Sequence, residues 1–262
     1  YGLIILSGPT GSGKTTTLYA LLRTLNEEST NIVTLEDPIE YSIDGINQSQ
    51  VKPEIGYDFG RGLRQILRQD PNIIMVGEVR DKETAGLVIN SALTGHLVLS
   101  TLHTNSAVGV IPRLIDMGVM PFLIPTTLKV AISQRLVRIL CNYCKKKIGA
   151  NERVKAYLEA QLKTMPLSLR EQIHIPDPIF VYEATGCQEC SLAGYRGRTG
   201  LFEVLRITDS LADIIIKTPY EPVILKAAQK QGMLTMAQEG VLKILAGETS
   251  VEEVTRVTEE QN

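Results

Sequence analysis

The stretch "GPTGSGKT" (residues 8–15) fits G-x-x-x-x-G-K-[ST] and directly follows the apolar run "LIILS". Each position has a physical job. Gly8, Pro9, Thr10, Gly11, Ser12 and Gly13 form a loop whose glycines let backbone N–H groups close around phosphate oxygens. The helical run that follows, "KTTTLYALLRTLN", points its positive end at the same place and begins with Lys14, Thr15 and Thr16. Lys14 can neutralise β- and γ-phosphates, and the Thr15 hydroxyl can ligate Mg²⁺. The chemistry indicated is binding of a nucleoside triphosphate with Mg²⁺.

Three further apolar runs end in polar clusters. "NIVTLEDPIEY" ends in Glu36, Asp37 and Glu40, "NIIMVGEVRD" in Glu78, Arg80 and Asp81, and "LVLSTLHTN" in Ser100, Thr101, His103 and Thr104. Hydrolysis needs one carboxylate to hold Mg²⁺ and another to orient or deprotonate water. Glu78 is the only acid directly ending its run, so the "EDPIE" turn is the natural source of the second. Taken singly, acids after a strand merely solvate a loop. Three such clusters beside a phosphate loop favour the catalytic reading. His96 and His103 flank one strand and lie about 23 Å apart at ~3.3 Å per residue, so both cannot touch one phosphate. His103 is on the nucleotide side and His96 is structural. His174, in "QIHIPDP", carries no signal.

Cys141, Cys144, Cys187 and Cys190 are all the cysteines present, and they form two C-x2-C knuckles separated by 42 residues. Four thiolates so arranged suit a closed, tetrahedral Zn²⁺ site. A redox pair or plain buried thiols are the alternatives. Arg61, Arg64 and Arg68 recur at spacings of three and four, giving one basic helix face, and Arg80 follows Glu78 closely. A solvated face explains such a stripe unless it meets another subunit.

To position these groups the chain needs a βαβ series. Helical stretches such as "GRGLRQILRQ" and "KETAGLVINSAL" separate the apolar runs, which predicts an α/β fold with a mostly parallel sheet covered on both faces. In an open parallel sheet the carboxyl ends of the strands carry the ligand-facing residues. A helical insert separates the knuckles, and the tail from "DSLADIIIKT" has helical apolar spacing broken by Gly232 and Gly247. Three parts are expected: a P-loop core at 1–140, a tetracysteine module with its insert at 141–200, and a helical subdomain at 201–262. The 262 residues are 44% hydrophobic and 21% charged, as in soluble globular proteins. A formal charge of −2 creates no global field for nucleic acid, and no apolar run approaches the ~20 residues that span a bilayer. The chain starts at Tyr1 rather than Met, as expected of a piece excised from a longer protein.

In combination, "GPTGSGKTTTL", "TLEDPIEY", "ILRQDPNIIMVGEVRD", "TGHLVLSTLHTN" and "GCQECSLAGYRGRTGLFEVL" resemble the motor ATPases of type II secretion and type IV pilus assembly, over Gly2 to about Thr258. The resemblance implies a RecA-like P-loop ATPase core, a structural zinc module, and coupling of ATP hydrolysis to movement. It implies Glu40 as catalytic base, Glu78 as the acid that helps hold Mg²⁺, and His103 beside the γ-phosphate. Arg64, Arg68 and Arg80 become candidates for nucleotide contacts that cross between subunits. It implies a homo-hexamer, cytoplasmic and peripheral at the inner membrane, working with an inner-membrane platform protein and a cytoplasmic adaptor, with no nucleic acid and no transmembrane segment. The family's N-terminal domain would be missing, so weak ATP binding, slow hydrolysis and a monomer are expected of this stretch alone. A RecA-like nucleic-acid motor and a P-loop small-molecule kinase are the rival readings. Four Phe, nine Tyr and no Trp argue against a stacking groove.

Overall fold

A computed structural model describes residues 1–173, 175 and 177–259; His174 and the last three residues of the predicted helical tail, 260–262, lie outside the described residues. In chain order come β1 (Gly2–Ser7), α1 (Lys14–Leu25), β2 (Ile32–Glu36), β3 (Asn47–Gln50), α2 (Phe59–Ile66), β4 (Ile73–Val76), α3 (Lys82–Leu93) and β5 (Leu97–Leu102), an alternation interrupted only by the polar strand β3. Next come α4 (Val110–Asp116), α5 (Leu123–Thr127), β6 (Leu128–Leu140), β7 (Lys146–Gly149), α6 (Glu152–Thr164), α7 (Leu167–Arg170), β8 (Phe180–Glu183) and β9 (Tyr195–Arg206). Helices α8 (Asp209–Lys217), α9 (Glu221–Lys230), α10 (Met236–Leu245) and α11 (Val251–Glu259) end the chain.

The chain divides into two compact units, 1–133 with 204–227, and 134–203 with 228–262. The expected breaks at 141 and 201 both fall inside the second unit, and the helical tail is shared between the two. The reason is that β6 and β9 are long strands that each run from one unit into the other. One seven-stranded sheet has the order β3-β2-β4-β5-β1-β6-β9. Every neighbouring pair from β3 to β6 is parallel. A second sheet pairs β7 with β8 antiparallel.

In the first unit, β2 and β4 are buried along their whole length, as strands covered on both faces must be. Helix α1 buries Leu18, Tyr19 and Leu22 at its i, i+1, i+4 positions against Leu6, Ile32, Ile73, Met75 and Leu99. Each such side chain contributes about 1.5–3 kcal/mol relative to exposure. The side chains of Asp58 and Asp81 cap α2 and α3 by accepting from Arg61 N–H and Thr84 N–H. In the second unit, Leu158 and Leu162 of α6 pack with Val137, Val181, Met236, Val241, Ile244 and Val254. Among the described residues, no helix is long and apolar enough to cross a membrane.

Candidate nucleotide site and cysteine centre

The parallel register brings four strand ends to one edge. Ser7, the last residue of β1, lies opposite Leu102 of β5, and the Ser7 hydroxyl donates to Ser106 O at 3.4 Å. The loop carrying His103 is therefore held against the start of the phosphate loop. Val76 of β4 pairs with Ser100 on one side and Leu35 of β2 on the other, and the Thr101 hydroxyl donates to Gly77 O at 2.7 Å. Gly77 N–H donates to Leu35 O at 2.8 Å. A Cβ at Gly77 would stand 3.2 Å from that oxygen and 3.4 Å from Glu36 Cα, which is why glycine precedes Glu78.

In the phosphate loop Gly8, Gly11 and Gly13 have φ of 138°, 78° and 88°, the left-handed region that favours glycine. Gly13 stands at the N-cap of α1, where no side chain caps the helix and no acid sits in the first turn. The positive end of α1 is thus available to an anion. Lys14 donates to Gly8 O at 2.8 Å and Pro9 O at 3.0 Å, so its ammonium lies over the loop. Ser12 is buried, and its hydroxyl finds no hydrogen-bond partner among the described residues. An orphaned hydroxyl in a glycine loop at a helix N-terminus fits a polyanion such as a triphosphate. Pro9, Thr10, Thr15 and Thr16 continue this same loop and helix start.

Glu78 and His103 meet at the edge. Glu78 Oε1 lies 3.1 Å from His103 Nε2, with the carboxylate side chain 17% exposed and the imidazole 50%. Arg80 Nε donates to Glu78 Oε2 at 2.6 Å, and its other arm lies 3.6 Å from Asp37. Arg80 thereby ties the turn after β4 to the turn after β2. Glu40 is exposed, with its backbone N–H 3.4 Å from the Tyr19 hydroxyl on α1.

Not every residue of the expected set joins this cluster. Glu36 is buried and accepts from Tyr19, from the Thr34 hydroxyl at 2.6 Å and from the Gln48 amide at 3.1 Å. It holds the interior together. Asp81 is a helix cap. Arg64 pairs with Glu83 at the start of α3. Arg68 is exposed beyond α2, next to Gln69, whose carbonyl accepts from Asn31 just before β2. That is the amino edge, separated from the phosphate loop by the length of a strand, ~16 Å for five residues. Within one chain Arg68 stands by that amino edge, whereas Arg64 stands by the first turn of α3, which follows the carboxyl end of β4. His96, also at the amino edge, bonds Ser91 O at 2.9 Å and the Thr94 hydroxyl at 3.1 Å. Sequence reasoning missed Tyr19 and Gln48. A tyrosine on the buried face of the helix after the phosphate loop was the available signal, since its hydroxyl must find a partner.

The four cysteines form one cluster, with all ligand atoms within 4.8 Å of one another. Sulfur separations are 3.9 Å for Cys141–Cys187, 3.8 Å for Cys144–Cys190 and 3.7 Å for Cys187–Cys190. Zn–S bonds of ~2.3 Å in a tetrahedron place sulfurs about 3.8 Å apart, whereas a disulfide needs about 2.0 Å. The donor set fits a structural zinc ion. Cys190 Sγ also accepts from the N–H groups of Cys187 and Gly194, each at 3.2 Å. Burial opposes ionisation of Cys190, but these N–H groups together with the Cys187 and Cys144 thiols outweigh it and bring the thiol down to about 7.

The family model for type II/IV secretion system proteins matches residues 1–256. Over 261 residues the chain is 47% identical to type II secretion system protein E of Pseudomonas aeruginosa, covering 100% of this chain and 49% of that protein. It is 47% identical to type II secretion system ATPase E of Vibrio cholerae, with 99% and 49% covered. With the type IV pilus assembly ATPase PilB of Myxococcus xanthus, identity is 44%, and 97% and 43% are covered. The chain thus spans about half the length of these relatives. Among solved structures, the pilus retraction motor PilT with bound ADP superposes with a TM-score of 0.69 at 28% identity, covering 98% of this chain and 61% of that one. The Legionella pneumophila ATPase DotB gives 0.69 at 25%, covering 99% and 60%. These likenesses agree with an α/β ATPase core built on a mostly parallel sheet.

Proposed function

The chain belongs to the type II/IV secretion system protein family, and from that premise we propose that it is the ATP-hydrolysing part of a motor for type II secretion or type IV pilus assembly. The observation that carries this is the convergence of the β1, β2, β4 and β5 ends on one edge beside the phosphate loop.

The residues divide the work by position. Loop 8–13 and the α1 N-terminus bind the phosphates, with Lys14 leaving the Gly8 and Pro9 carbonyls for the β- and γ-oxygens. Thr15 and Glu78 would hold Mg²⁺, which would supply charge neutralisation at the phosphates. His103, held on Glu78 through Nε2, would turn that N–H to the γ-phosphate when nucleotide is bound. Glu40, on the turn between β2 and β3, orients water in line with the γ-phosphorus and takes its proton. Arg80 sets the spacing of the two acidic turns through Glu78 and Asp37. Arg64, beside the start of α3, and Arg68, by the amino edge, serve a sister subunit in a homo-hexamer, where the rigid guanidinium fork suits carboxylate or phosphate. Zinc on the four cysteines is structural. In the whole protein the partners are an inner-membrane platform protein and a cytoplasmic adaptor, with the motor cytoplasmic and peripheral at that membrane.

Titration of Mg-ATP into the protein, with phosphate release followed in parallel, tests this reading. Wild type binds and turns over ATP, and Lys14→Ala loses both by about a hundredfold or more. Equal binding and turnover in the two proteins would overturn it.

A further inference from the structure

Tyr19 is buried five residues beyond Lys14, and its hydroxyl is fully used. It donates to the Glu36 carboxylate, and its oxygen accepts from Glu40 N–H and the Gln48 amide, each at 3.4 Å. One donor and two lone pairs are all a phenol possesses. Burial pushes its ionisation upward, with the Glu36 bond adding to that, so the phenol stays neutral.

The same helix grips the turn a second way. The Tyr19 ring meets the Tyr41 ring edge-on at 4.7 Å, and Arg23, one turn later, lies over Tyr41 at 5.4 Å. Gln48 completes the frame by donating to Tyr41 O at 3.2 Å and accepting from Ile43 N–H at 2.7 Å. Glu40 thus stands between two anchored points, its own N–H and the residue after it. The exposed carboxylate is carried by backbone bolted to the helix that starts at the phosphate loop.

We propose that Tyr19 is a positioning residue, which fixes the backbone of Glu40 relative to the phosphate loop so that the carboxylate meets the attacking water. The proposal rests on Glu40 being the base. Its mechanical logic is direct: any shift of α1 when the loop closes on phosphate moves Glu40 with it. Because only the hydroxyl reaches Glu40, Tyr19→Phe keeps the ring contact with Tyr41 while releasing the Glu40 N–H.

The test is a double-mutant cycle on the full chain with Mg-ATP, using Tyr19→Phe, Glu40→Gln and the pair, with single-turnover rates and KM measured for each. Expected are a tenfold or larger drop in kcat for Tyr19→Phe, a KM within about threefold of wild type, and no further drop when it is added to Glu40→Gln. An unchanged rate for Tyr19→Phe overturns the proposal. So does the same fold-loss in both backgrounds, which is what mere loosening of the core would cause. Full turnover by Glu40→Gln alone would instead remove the assignment of the base. If Tyr19→Phe does not fold, hydrogen exchange at the Glu40 amide of the wild type with Mg-ADP reads the same bond: slowed exchange is expected, and exchange at the rate of a free amide refutes the proposal.

Discussion

Glu78 Oε1 stands 3.1 Å from His103 Nε2, which couples the turn after β4 to the residue after β5 through their side chains. The pair lies at the edge where the Ser7 hydroxyl fastens the His103 loop to the start of the phosphate loop. In the proposed mechanism the His103 N–H, held here by Glu78, stabilises charge at the γ-phosphate only once that charge develops. His103→Ala is therefore expected to lower kcat by roughly tenfold to a hundredfold, with nucleotide affinity within about threefold. Steady-state kinetics with a nucleotide-binding titration checks it. A loss confined to affinity would assign His103 to ground-state binding.

Gly77 sets the approach of β4 to β2. A methyl group there would crowd Leu35 O and Glu36 Cα, both backbone atoms that cannot swing away. Gly77→Ala is expected to cost about 1–3 kcal/mol by urea unfolding, and to slow turnover by displacing Glu78. Wild-type stability would show that the strands tolerate the spacing.

The second unit contains a buried carboxylate, Glu253 on α11. It accepts from Arg138 Nη2 at 2.7 Å, from Arg138 N–H at 2.8 Å and from Arg256 at 3.0 Å. Burial alone would raise its pKa, but the two guanidinium groups win and hold it at about 2, against an ordinary 4.5. A depressed carboxylate stabilises the fold fully above its unfolded pKa, and that contribution is lost as pH falls from about 4.5 through about 2. At ~1.4 kcal/mol per pH unit the contribution is roughly 3 kcal/mol. Urea unfolding from pH 7 to pH 2.5 should show wild type losing most of this increment, while Glu253→Gln starts lower and lacks that part of the slope.

The cysteine centre predicts about one zinc per chain by metal analysis, closed to substrate. Chelation, or Cys144→Ser, should lower the unfolding temperature of the second unit, because its knuckles are then linked only by bonds such as Cys141 N–H to Gly194 O. Metal-free protein with unchanged stability would assign the cluster to free thiols.

The phosphate loop, the three polar strand ends and the knuckles were legible because each is local: a motif, or a polar cluster at the end of an apolar run. The α2 and α3 helices appeared in "GRGLRQILRQ" and "KETAGLVINSAL" for the same reason. What stayed hidden is set by tertiary contacts. The strands β6 and β9 mix buried and exposed positions without clean alternation, and their continuity through both units moved the divisions expected at 141 and 201. Glu36 and Glu40 lie four residues apart in one acidic turn, yet one is interior and one exposed. Only the partners Tyr19, Thr34 and Gln48 distinguish them. Arg64 looked like part of a free basic stripe until Glu83 arrived from another helix.

The most direct measurement compares Glu40→Gln with wild type for ATP turnover and for ATP affinity. If Glu40 tends the attacking water, turnover falls by about a hundredfold or more while the dissociation constant for Mg-ATP stays within about threefold. Hydrolysis at the wild-type rate would contradict the account, since the acidic turn would then be a solvated loop beside a site that does its chemistry without it.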